Sequence, residues 1–280
     1  MIPFADLYAA QPPKPECKEV ASDDQDEWEL DERGCRKKKE KKKPWERGSI
    51  FGVRLSALNT DGAEKNGTFI GAMLAASSEQ FHVSRIYSGH YASYGYLGGG
   101  SAGFEGGLGG TLMLGARAPF GDKYGPLARI GTSMEMQGNK RFYYSRLVLP
   151  MAEVGYQYAP NDFTVLEVGG RGGAVITGRY NTGHRTRREL GGGSLEWGFY
   201  GAAHTKITRF DISYTRIQAD DNYPGGAVGT LRGTGCGYFG RLGICGDAMV
   251  VNGDGYIGLP RVPFDVTTIY AGLTVGVIDL

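Results

Sequence analysis

The sequence predicts an all-β fold: a closed, antiparallel, up-and-down transmembrane β-barrel of about ten strands, behind a charged, mostly disordered N-terminal extension. Three observations lead there. Between Ala102 and Gln137 apolar side chains recur on every second residue in two successive arms. Glycine supplies 47 of the 280 residues, beside 17 tyrosines and 12 phenylalanines, and the glycines follow no triplet period, so a β-rich chain with many tight bends fits and collagen does not. The mean hydropathy is -0.30 and no run of 18 apolar residues occurs, which excludes a membrane-spanning helix but leaves a barrel open, because only alternate residues of a barrel strand face lipid.

Met1–Ala10 has neither a basic start nor an apolar core long enough for a secretory leader, which an outer-membrane destination requires. Residues 1–48 read as a separate periplasmic extension. Acidic residues crowd Asp23–Glu32 and a basic run follows at Lys37, Lys38, Lys39, Lys41, Lys42 and Lys43. Such a segment buries too little apolar surface to offset its ordering entropy. Its charge blocks, with Trp45 as an anchor, suit docking on a partner protein, and no nucleic-acid role is expected behind a barrel.

Residues 49–280 carry the barrel. Ser49–Leu58 places Phe51, Val53 and Leu55 on one face and Arg54 on the other; Thr68–Ala76 and Glu79–Tyr87 read as a hairpin across Ser77-Ser78. In Ala102–Ala118, Phe104, Leu108, Leu112 and Leu114 oppose Glu105, Thr111 and Arg117. After a turn, Ile130, Met134 and Met136 oppose Arg129, Ser133 and Glu135. Phe142–Tyr158 contains Pro150, which predicts a bulge or a later start. Phe163–Thr177, Glu189–Ala202, Thr205–Ile217 and Val266–Asp279 complete the set, with residues 218–265 read as one long extracellular loop. Connection lengths then tend to alternate short and long, as periplasmic turns and extracellular loops do.

The non-apolar face carries Arg54, Arg117, Arg129, Arg171 and Arg209 beside Glu105, Glu135, Glu153, Glu167, Glu196 and Asp211. Near-balanced signs predict an interdigitated network that plugs a narrow lumen, since an unpaired charge there is costly. With its strands, charges and loops together, the stretch Ser49–Leu280 resembles the small bacterial outer-membrane β-barrel class, in the size range of the OmpA transmembrane domain, OmpW-like proteins and omptins. The resemblance implies contact with outer-membrane lipid. It also implies a terminal aromatic residue, where this chain ends in Leu280.

Candidate chemistry is sparse. Cys236 with Cys245, and Cys17 with Cys35, are locally spaced pairs that predict two disulfides in an oxidising compartment, the first closing the long loop. No histidine spacing supports zinc, and no metal or cofactor is expected. Asn252-Gly253-Asp254-Gly255 resembles part of a calcium loop, but Val250 stands where the first acidic ligand belongs, so it reads as a glycine turn. His82-x-Ser84 has the spacing used by lipid A deacylase barrels, and Asp220-Asp221 with His184 echo an omptin rim, but neither set is complete. The expectation is therefore a non-enzymatic membrane anchor or scaffold subunit, presenting the tail and loop 218–265 to periplasmic or outer-membrane partners. A narrow pore for small solutes and an outer-membrane hydrolase are the alternatives.

Overall fold

The computed structural model describes residues 28–30, 36–38, 50–61, 67–83, 87–117, 124–140, 142–161, 164–181, 188–191, 194–218, 227–257 and 262–278, some of them by backbone alone. The N-terminal unit contributes an antiparallel pair, β1 (Trp28–Leu30) with β2 (Arg36–Lys38), in which Glu29 stands opposite Lys37. An acidic stretch and a basic stretch thus run side by side in a segment expected to be mostly disordered.

The remaining strands are β3 (Ile50–Asp61), β4 (Gly67–Val83), β5 (Tyr87–Gly100), β6 (Gly103–Arg117), β7 (Tyr124–Gly138), β8 (Tyr143–Asn161), β9 (Thr164–Asn181), β10 (Arg188–Gly191), β11 (Leu195–His204), β12 (Thr208–Gln218), β13 (Ala227–Phe239), β14 (Leu242–Ile257) and β15 (Val262–Ile278). They form one 13-stranded ladder in which β10 only flanks β9, so the wall is a 12-stranded barrel. Each strand pairs antiparallel with its neighbour in the chain, and β15 closes on β3 from Ile278 opposite Ile50 to Thr267 opposite Asp61. Closure pairs each of the twelve wall strands on both sides, which lipid demands because no water is present to bond a free amide.

Two corrections follow. The expected hairpin across Ser77-Ser78 is one continuous strand, β4, and its partner β5 occupies residues expected to form a loop. The expected extracellular loop 218–265 is mostly wall: it holds β13, β14 and the start of β15. Twelve strands therefore replace about ten. Both errors have one physical cause. In β13 the outward positions include Gly229, Gly233, Gly235 and Gly237, and in β5 they include Gly89, Ser93 and Gly95, so the apolar half of the alternation is thin where the strand is real.

The expected irregularity at Pro150 is present, with the β7–β8 register shifting between Gly131 and Ser133 and the β8–β9 register between Val148 and Met151. Ile50 and Ile278 mark one end of the barrel, shared by the connections at 84–86, 118–123, 162–163, 205–207 and 240–241. The opposite end carries the two longest, 182–194 and 219–226.

The outer face is apolar all the way round. Phe51, Phe104, Ile130, Val154, Val168 and Phe199 are each more than 60 % exposed, and comparable side chains stand on the other strands. A continuous apolar belt of this kind is incompatible with a water-facing surface and matches a lipid-facing one. The molecule has the architecture of the outer-membrane β-barrel class. Its buried apolar cluster lies inside the barrel and includes Leu58, Met113, Tyr144, Met151, Tyr180, Met249 and Val266.

Candidate functional site in the barrel lumen

The lumen is built from the strand period. Inward positions on β5 are Ser88, His90, Ala92, Tyr94 and Tyr96, and opposite them on β6 stand Gly109 beside Tyr94 and Gly107 beside Tyr96. A Cβ at Gly107 would fall 2.4 Å from the Tyr96 ring, and one at Gly109 would fall 2.6 Å from the Tyr94 ring. The two glycines thus let both rings lie against the wall. From there the Tyr94 hydroxyl donates to Glu135 at 2.9 Å and the Tyr96 hydroxyl to Gln137 Oε1 at 2.9 Å.

Charged side chains gather in four groups. Arg54 on β3 reaches past β15 to Asp247 on β14, with Nη2 donating at 2.8 Å, and its guanidinium lies 5.0 Å from the Tyr96 ring centre and 5.3 Å from that of Tyr270. Arg129 on β7 donates to Glu153 on β8 at 3.0 Å and to Glu167 on β9, which also accepts from Gln157 Nε2 at 3.0 Å. Arg146 on β8 donates to Glu196 on β11 at 2.6 Å and to Glu135 at 3.4 Å, while Arg232 on β13 donates to Glu135 at 2.9 Å. The fourth group sits at the Ile50/Ile278 end: Arg209 bridges Glu79 and Asp211, His90 is 2.7 Å from Glu79, and His204 is 2.8 Å from Asp211.

All eleven residues singled out from the sequence for the lumen stand on inward positions. Arg54, Arg129, Glu135, Glu153, Glu167, Glu196, Arg209 and Asp211 enter the groups above. Glu105 accepts a hydrogen bond from Ser56 at 3.1 Å. Nε and Nη2 of Arg117, and Nε of Arg171, are buried without a hydrogen-bond partner among the described residues, although Arg171 stands in the field of Glu196, Glu153 and Glu135. Sequence reasoning missed Glu79, His90, Arg146, His204, Arg232 and Asp247. With them the described lumen holds seven arginines against eight carboxylates, so it carries no strong field of one sign.

Several contacts join opposite walls. Tyr180 on β9 donates to the Val266 carbonyl on β15 at 3.3 Å, and Thr230 on β13 donates to the Tyr144 hydroxyl on β8 at 3.4 Å. Gln137 on β7 touches Met249 Sδ on β14 at 3.1 Å. Beside these bridges lies an internal cavity of about 220 Å³, lined by Glu79, His90, Glu135, Arg171, Arg209, Asp211, Arg232 and Asp247 among others.

Cys236 and Cys245 are disulfide-bonded, but not across an extracellular loop: they face each other on β13 and β14, on the lumen wall near Ile50 and Ile278. Asn252–Gly255 is likewise strand, opposite Thr267–Phe264, where a turn was expected. Lys37 and Lys38 lie in β2, described by backbone alone, as does His82 in β4. Cys17, Cys35, Lys39, Lys41, Lys42, Lys43, Trp45, Ser84, His184, Asp220 and Asp221 lie outside the described residues.

No family model and no curated relative matches the chain. Among solved structures it is similar to the NanC porin at 9 % identity and TM-score 0.38, covering 81 % of this chain and 100 % of that one. It is also similar to the CymD monoaromatic hydrocarbon channel (9 % identity, TM-score 0.36, 83 % and 89 % covered) and to the outer membrane phospholipase A from Escherichia coli (12 %, 0.35, 82 % and 97 %). Identities this low carry no residue-level correspondence.

Proposed function

We propose that this barrel sits in the bacterial outer membrane and passes small polar solutes through a narrow, charge-lined lumen. One observation carries the reading: a cavity of about 220 Å³ persists inside the wall, lined by charged side chains of both signs, where a purely structural plug would be packed. It has room for several waters or a solute of a few heavy atoms. Balanced charge suits zwitterionic or hydrogen-bonding solutes better than ions of one sign. Ile50 and Ile278 share their end with the shorter turns, which supports a periplasmic placement for that end.

Reconstitution in planar bilayers tests this. Small discrete currents are expected from the native chain, and larger ones from Arg209→Ala, which removes a cross-lumen bridge. A silent bilayer for both proteins sinks the channel reading. The second reading, a closed anchor or scaffold subunit that meets periplasmic or outer-membrane partners through the extension, draws its support from the side chains that join opposite walls, Tyr180 with Val266 and Arg209 with Glu79. It predicts that silence.

A further inference from the structure

The two hairpins that flank the Ile50/Ile278 end carry the same device. On β4–β5, Glu79 stands opposite Ala92, and His90, two residues before Ala92, places Nε2 2.7 Å from the Glu79 carboxylate. On β11–β12, Asp211 stands opposite Ala202, and His204, two residues after Ala202, places Nε2 2.8 Å from the Asp211 carboxylate. The hairpins face each other across the lumen, and the guanidinium of Arg209 lies between the two carboxylates. Ligand atoms from Glu79, His204 and Asp211 all fall within 4.8 Å of one another.

We propose that Glu79, His204 and Asp211 form a site for a divalent transition-metal ion of the zinc type, with His90 orienting the Glu79 carboxylate, at the place that the Arg209 guanidinium occupies between the two hairpins. One imidazole and two carboxylates are a donor set that zinc accepts, with the fourth place of its tetrahedral shell left to water. Metal–ligand bonds of about 2.0–2.2 Å ask the converging atoms to close by roughly 1 Å, within the reach of side-chain rotation. Charge agrees: the carboxylates of Glu79 and Asp211 offer a cation two negative charges, and it enters by displacing the arginine. The wall next to the site offers no competing thiol, because Cys236, opposite Arg209, is bonded to Cys245. The proposal does not rest on solute passage, and its failure leaves the channel reading standing.

Calorimetric titration of the folded full chain in detergent with zinc chloride tests the proposal. The background is Cys17→Ser, Cys35→Ser, His82→Ala and His184→Ala, which removes donors outside the site. One ion per chain is expected. His204→Ala and Glu79→Gln should each weaken binding more than about tenfold, and Arg209→Gln should tighten it by removing the competing cation. Heat-modifiable migration on an unboiled gel verifies folding, and His204→Gln, which keeps the hydrogen bond to Asp211, replaces any alanine variant that fails it. Absence of saturable binding, equal binding in the His204 and Glu79 variants, or weaker binding in Arg209→Gln overturns the proposal.

Discussion

Arg209 on β12 meets Glu79 on β4 although β13, β14, β15 and β3 separate them around the wall, so this ion pair crosses the lumen. Both side chains are sheltered, at 19 % and 6 % exposure, and a sheltered charge left without its partner is costly. Arg209→Met should therefore destabilise the barrel by about 3 kcal/mol. The double variant Arg209→Met with Glu79→Met should recover part of that loss, because it removes the Glu79 charge, while Asp211 still lacks its arginine and keeps its contact with His204. Denaturant unfolding followed by tryptophan fluorescence measures both. Additive losses in the double variant count against a direct pair.

Gly272 on β15 exists to let Arg54 pass. A Cβ there would lie 1.9 Å from Nη2 of Arg54, which spans β15 on its way to Asp247. Gly272→Ala should cost about 1–3 kcal/mol through overpacking, because Arg54 must leave its carboxylate. Asp247→Asn removes the same pair from the other side. The two changes together should cost less than their sum by at least about 0.5 kcal/mol, and a strictly additive pair of changes removes this account of Gly272.

The disulfide joins paired positions on β13 and β14, nine residues apart in sequence. Its effect falls on the unfolded chain, where it closes a short loop, and the chain-entropy model gives about 2–3 kcal/mol for a loop of this length. Replacing Cys236 and Cys245 together by serine should lower the unfolding free energy by that amount. The folded barrel should keep its fast migration on an unboiled gel, since the ladder on both sides of the bond is intact.

The fold was legible where one strand face is unbroken. Phe104, Leu108, Leu112 and Leu114 against Glu105 and Arg117 announce β6, and the structure keeps that parity. Legibility ends where parity shifts. On β8 the inward residues are Tyr144, Arg146 and Val148 before Pro150, then Met151, Glu153 and Gln157 after it, so reading one parity through the bulge turns Arg146 outward. Arg232 and Asp247 were hidden for another reason: four outward glycines thin the alternation in β13, and the whole stretch that holds both residues reads as loop. His90 and His204 were invisible as a group because their hairpins meet only through barrel closure. Nothing in the spacing of positions 79, 90, 204 and 211 records that meeting.

The apolar belt separates a membrane barrel from a soluble one most sharply. Ile130 and Val168 point outward from β7 and β9 and are 62 % and 63 % exposed. On a water-soluble protein an arginine at such a position changes stability by no more than about 0.5 kcal/mol. On a lipid-facing wall the same arginine costs about 2–4 kcal/mol near the bilayer midplane, and less toward the interfaces. Ile130→Arg and Val168→Arg should thus destabilise the barrel in lipid vesicles by about 2–4 kcal/mol. Ile207→Arg, in the β11–β12 connection, serves as the comparison because an arginine at the rim can reach water. Equal, near-zero effects at all three positions would place the outer face in water, and the outer-membrane assignment would fall with it.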